Sequence, residues 1–112
     1  MTVTAEQIEK LRNIMHGTDR LLLKKEDLMS YSYDASFGTY IPEAVCQVKS
    51  VEEVSKILKL ANRELIPVTP RGQASSLSGG PLPVYGGIVI DVSQWKDVLN
   101  IDKDDMVAVV SP

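Results

Sequence analysis

The sequence is poor in the residue types that staple, metallate or highlight a small fold. It has one cysteine, one histidine, one phenylalanine and one tryptophan in 112 residues. Cys46 alone cannot form an internal disulfide, which excludes a disulfide-stapled secreted scaffold. The lack of cysteine pairs fits a reducing compartment, and a cytoplasmic location is expected. With His16 the single histidine, no histidine-based metal site is expected. Basic excess is missing as well. Twelve Lys and Arg stand against 15 Asp and Glu, a net charge of −3, which excludes a generic nucleic-acid binder. No apolar run approaches the ~20 residues of a membrane helix, so no transmembrane segment is expected. Met1–Lys10 has neither a cationic start nor a long apolar stretch, and no signal peptide is predicted. No internal repeat or low-complexity segment occurs.

What is present is ordinary globular composition, 44% hydrophobic and 24% charged. The length fits one small domain able to bury roughly two-thirds of its unfolded surface. Thr4-Ala5-Glu6-Gln7 is a capping-box pattern, with Ile8, Leu11, Ile14 and Met15 at helical spacing and Gly17 as the left-handed stop. Leu21–Leu23 is a short apolar stretch, and Lys24–Tyr33 has room for one more helical turn. Tyr31–Pro42 has no clean period and reads as loop. Ala44–Val48 predicts a buried strand. Ser50–Glu53 is a second capping box, followed by a helix whose apolar stripe is Val54, Ile57, Leu58, Ala61 and Leu65. Ile66–Thr69 predicts the next strand, with Pro67 where no ladder bond is needed. Strand, helix, strand with short links is a βαβ unit, so the two strands should be parallel. Gly87–Val92 and Met106–Val110 predict two further strands, with a short helical turn over Ser93–Leu99. The fold class is therefore α/β (α+β): N-terminal helices, a βαβ unit and two more short strands.

The chemistry concentrates in Pro70–Pro83, directly after the second strand of the βαβ unit. Five of the seven glycines lie between Gly72 and Gly87, and Arg71 is the single charged residue from Pro70 to Ile90. Glycines let backbone N–H groups approach an anion with no Cβ in the way. Successive N–H groups in a curved loop make a concave anion nest. Ser75, Ser76 and Ser78 add hydroxyl donors, and Arg71 adds a planar cation. Ligands of open α/β sheets also bind at the carboxyl ends of strands. A diphosphate-containing ligand fits all four points. Composition alone equally allows a plain surface loop. The run is not a Gly-x-Gly-x-x-Gly fingerprint, a Walker loop or a Gly-x-Ser-x-Gly elbow.

The run Pro70–Pro83 resembles the pyrophosphate loop of the vanillyl-alcohol oxidase/p-cresol methylhydroxylase family of flavoproteins. It is most similar to the branch holding glycolate oxidase flavoprotein subunits and FAD-dependent D-lactate dehydrogenases. That loop usually reads Arg-Gly-x-Gly-Thr-x-Leu-Ser-Gly-Gly-x-x-Pro. Arg71-Gly72, Leu77-Ser78-Gly79-Gly80 and Pro83 fall on it in register. Tyr33-Asp34, Val51-Glu52-Glu53-Val54, Gly87–Asp91 and Val98–Asp102 resemble the flanking segments, so the likeness covers roughly Leu21 to Pro112. The resemblance implies non-covalent FAD, with Arg71, Gly72, Gln73, Ala74, Ser75, Ser76, Gly79 and Gly80 as candidate contacts. Ser75 stands for the family's threonine and keeps its hydroxyl. Ala74 replaces a glycine, which costs ~1–2 kcal/mol if that position needs φ > 0.

The resemblance further implies a lead-in over 1–43 and the N-terminal part of an FAD-binding domain over 44–112. The partners implied are the remainder of a flavoenzyme chain and an electron-acceptor subunit. The activity implied is oxidation of a 2-hydroxy acid such as glycolate or D-lactate by hydride transfer to the flavin. No cluster of bases lies near the loop, so no catalytic residue is assigned and the chain alone is expected to be inactive. Two other readings stay open: a generic phosphate- or nucleotide-binding module, and a fragment that binds nothing and self-associates through an open sheet edge. His16 reads as a capping or surface residue, Cys46 as a buried structural thiol, Trp95 as a core or interface anchor, and Asp34 as a loop cap.

Overall fold

The computed structural model describes residues 2–112. Helix α1 (Ala5–Ile14) starts on the capping box seen in the sequence: the Gln7 N–H donates to Thr4 Oγ1, and the Thr4 N–H donates to Gln7 Oε1. It stops where His16 and Gly17 both turn left-handed, with the Gly17 N–H closing on the Arg12 carbonyl. Strand β1 (Leu21–Leu22), helix α2 (Lys25–Met29), β2 (Ala44–Gln47), α3 (Val51–Glu64), β3 (Val68–Arg71) and β4 (Ile88–Asp91) follow. They form a four-stranded sheet of order β1-β2-β4-β3. The βαβ strands β2 and β3 are parallel, as expected, but β4 lies between them and pairs with both. Leu21–Leu22 adds an antiparallel edge that the sequence pattern left as an apolar stretch.

The pleat divides the core. Ala44, Cys46, Ile88 and Ile90 face α1 and α3, meeting Leu11, Met15, Ile57, Leu60 and Ala61. Val45 and Val89 point the other way and meet Leu28, Leu22 and Tyr31. The N-terminal helix is thus part of the same core as the sheet. Pro70 sits inside β3, which is an edge strand with one neighbour, so its missing N–H breaks no ladder. Burial pushes the Cys46 thiol up to about 12, which makes it an inert core residue.

Helix α3 is rotated from its expected stripe. Glu53, Ile57, Leu60 and Ala61 are its buried residues, while Leu58 is exposed. Leu65 is no core residue either: it is the left-handed C-cap (φ 54°) and is 75% exposed. A leucine there carries strain that glycine avoids. Leu65→Gly is therefore expected to stabilise the fold by about 0.5–1 kcal/mol, seen as a higher urea midpoint.

The helical turn expected over Ser93–Leu99 is not formed. A single turn at Trp95 leads into β5 (Val98–Asp102), which pairs antiparallel with β6 (Val107–Val110). Trp95, Val98 and Leu99 have helix-like spacing, but the Asp102 carboxylate caps the turn at Asp104 and Asp105 and commits the segment to a hairpin. Every residue of β5 and β6 is exposed.

Candidate functional site

Gln47, Asp91 and Arg71 are register partners at the carboxyl ends of β2, β4 and β3. Asp91, 2% exposed, ends an otherwise apolar strand. Its Oδ2 accepts the Tyr31 hydroxyl at 2.6 Å and its Oδ1 accepts the Ser93 N–H at 2.8 Å. Gln47 Nε2 donates to the same Tyr31 oxygen at 2.9 Å. Burial, then the hydrogen bond to Asp91, pushes the Tyr31 hydroxyl up to about 12, so it stays a neutral donor. Arg71 is 8% exposed and lies over the Tyr31 ring, 5.3 Å from its centre. Its guanidinium donates to the carbonyls of Tyr31 and Ser30, both at 3.3 Å. This polar cluster anchors the point where β3 releases the chain into the loop.

The loop bounds an open cleft of about 360 Å³, lined by Pro70, Gly72, Gln73, Ala74, Ser75, Ser76, Gly80 and Pro81. Six of the eight candidate residues line it. Arg71 and Gly79 do not. No charged side chain lines it. None of the backbone N–H groups of residues 72–80 donates to a carbonyl of the chain. A Cβ on Gly72 or Gly80 would meet nothing within 4 Å, so these two backbones are open to approach. Ala74 adopts φ 56°, the left-handed conformation in which alanine is strained. At its far end the loop is tied down by the buried Leu82 and Pro83, with the Leu82 N–H on the Gly79 carbonyl.

The donor set suits a diphosphate: free backbone amides, two serine hydroxyls, a side-chain amide and no carboxylate. The family model described as "FAD binding domain" matches residues 42–112. The chain belongs to the FAD binding domain family. FAD is the cofactor of this family.

A D-lactate dehydrogenase of Anaerostipes hadrus is 36% identical over 107 residues, covering 94% of this chain and 22% of that protein. The mitochondrial D-lactate dehydrogenase [cytochrome] of Arabidopsis thaliana is 43% identical, covering 98% and 20%. Glycolate oxidase subunit GlcD of Bacillus subtilis is 35% identical over 83 residues, covering 73% and 18%. The chain thus spans about a fifth of the length of these relatives. A solved p-cresol methylhydroxylase shares the fold at a TM-score of 0.75 and 22% identity, over 89% of this chain and 21% of that one. This FAD binding domain therefore has the architecture of the vanillyl-alcohol oxidase/p-cresol methylhydroxylase flavoproteins.

Sequence reasoning missed the support behind the loop. Tyr31, Gln47 and Asp91 carry it, and the readable signal was a carboxylate closing the apolar run Ile88–Ile90. His16 is exposed and takes no part in the site. Trp95 packs against the core. Asp34 caps its own loop, accepting from the Ser36 N–H and hydroxyl. No helix among the described residues is long and apolar enough to cross a membrane.

Proposed function

We propose that this chain is the first FAD-binding segment of a flavin-dependent oxidoreductase acting on a 2-hydroxy acid such as glycolate or D-lactate. The observation that carries the reading is the set of backbone N–H groups at residues 72–76 and 80, which meet no carbonyl of the chain and line a cleft without carboxylates at the end of β3. The amides of Gly72–Ser76 and Gly80 and the hydroxyls of Ser75 and Ser76 hold the diphosphate. Arg71 acts from behind: its guanidinium is engaged on the Ser30 and Tyr31 carbonyls and fixes where the loop begins. The isoalloxazine ring supplies the redox chemistry when bound. This chain supplies binding and orientation and is inactive alone, in a cytoplasmic enzyme whose electrons pass to an acceptor subunit.

FAD titration followed by flavin fluorescence tests this. Saturable binding is expected, and its absence would remove the reading. Ala74→Gly relieves the left-handed alanine and is expected to lower the FAD Kd by about fivefold, after allowing for the glycine's greater backbone freedom.

The partner in this reading is the remainder of the flavoenzyme chain, docked on the β5–β6 hairpin. That hairpin exposes Val98, Leu99, Ile101, Met106, Val107, Val109 and Val110. A two-stranded hairpin with no packed face is marginal in water. Hydrogen exchange over 98–110 is therefore expected to be fast in the isolated chain and slow in the longer enzyme. Equal protection in both would count against the docking.

A further inference from the structure

Two polar groups behind the phosphate loop lack partners. The Asp34 Oδ2 atom is buried without a hydrogen bond, and the Gly79 N–H donates to no carbonyl of the chain. The other carboxylate oxygen, Oδ1, is occupied by the N–H and hydroxyl of Ser36. That turn lies against the loop: the Ala35 N–H donates to the Ser76 carbonyl at 3.1 Å, and a Cβ on Gly79 would lie 3.7 Å from Ser36 Oγ. A buried carboxylate oxygen without a donor is costly, and one N–H facing it removes the cost.

We propose that Asp34 is a positioning residue of the phosphate loop, its Oδ2 holding the Gly79 N–H inward so that the amides of residues 72–76 and Gly80 face the cleft. This rests on the FAD reading above for its functional consequence, but not for the contact itself. The geometry supports it from both sides. Gly79 (φ 77°) is the loop glycine that does not line the cleft, and its carbonyl accepts the Leu82 N–H. The carboxyl itself is held below its ordinary range, first by the Ser36 hydroxyl, with the Arg71 charge adding to the effect. It therefore stays an acceptor at neutral pH. A loop whose amides must converge on an anion benefits from one amide fixed the other way, because that fixes the sense of the turn.

Asp34→Asn tests the proposal, because it keeps an oxygen for the Ser36 turn while removing the charge. In a 1H–15N spectrum of the chain, the Gly79 amide signal should shift upfield. Exchange over residues 76–80 should rise at least about tenfold, with β2 and β4 unchanged. FAD and ADP should bind at least about fivefold more weakly, with the unfolding midpoint unchanged. Ser36→Ala, which leaves the carboxylate in place, should change the Kd by less than about twofold. An unaltered Gly79 amide in Asp34→Asn overturns the proposal, whatever FAD does. A responding Gly79 with unchanged FAD affinity overturns the positioning role. If the wild-type chain binds neither FAD nor ADP, the cofactor reading fails while the Gly79 signal still decides the contact.

Discussion

Gly87→Ala is expected to unfold the chain, or to lower its stability by about 4 kcal/mol or more. A Cβ there would lie 2.2 Å from the Pro67 carbonyl oxygen and 2.9 Å from its carbon. Both atoms are backbone, so no rotamer change relieves the contact. The same Pro67 oxygen accepts the Ile88 N–H at 2.9 Å and is the first link between β3 and β4. The Gly87 N–H donates to Glu43 Oε2 at 2.8 Å, while Oε1 of that carboxylate takes the Val3 N–H at 2.7 Å. Gly87 is thus the point where the parallel sheet and the N-terminal segment meet. Its φ of 74° adds a left-handed penalty of ~1–2 kcal/mol for any side chain. Gly86→Ala is the control. Its φ is 71°, but the nearest atom to a Cβ is a side-chain atom, Glu43 Oε2 at 3.1 Å, which has to give by only a few tenths of an ångström. That variant should lose only ~1–2 kcal/mol. Urea unfolding of the two side by side separates backbone collision from backbone strain. Equal losses would mean that the β3–β4 approach is looser than the structure shows.

Arg20→Ala is expected to lose about 2–3 kcal/mol at neutral pH, and to lose less as the pH falls. Arg20 grips Glu53 with both nitrogens, at 2.7 and 3.0 Å, with side-chain exposures of 16% and 10%. The guanidinium also donates to the Gln47 carbonyl at 2.7 Å, and Glu53 Oε2 accepts the Lys49 N–H at 2.8 Å. The pair therefore ties the end of β2 to the start of α3. Removing the arginine leaves a mostly buried carboxylate short of its charge partner. The hydrogen bond from Arg20 holds the Glu53 carboxyl below its ordinary value of 4.5. A depressed folded-state pKa contributes stability above 4.5, and that contribution disappears as the pH drops through the folded value. Wild type and Arg20→Ala should accordingly converge in stability below pH 4.5. A gap that stays constant into acid would assign the loss to the Gln47 carbonyl contact and not to the ion pair.

Much of this fold is legible in the sequence. The apolar runs at 44–48 and 87–92 both became strands of the sheet, but the second inserted between the two strands of the βαβ unit, which the pattern alone did not place. The capping patterns at Thr4 and Ser50 placed two helix starts. Glu53 shows where such reading ends. In the pattern it closes a capping box; in the fold its amide still donates to Ser50 Oγ, but its carboxylate turns to Arg20 and to the Lys49 N–H. A partner 33 residues away outweighed the local one, since a bidentate ion pair is stronger than a single carboxylate–amide cap.

The sequence by itself determined the loop: its glycines, its serines, its lack of carboxylates and its place after a strand are all local facts. It also determined that position 74 carries alanine where a glycine would be at ease. Only the tertiary structure decided which way the loop's groups face. Arg71 stands in the motif as a cation free for an anion, yet it is buried on carbonyls 40 and 41 residues earlier in the chain. Desolvating a guanidinium requires fixed acceptors, and the turn after α2 supplies them. The same long-range packing left β5 and β6 without a core of their own, because nothing within these residues covers them.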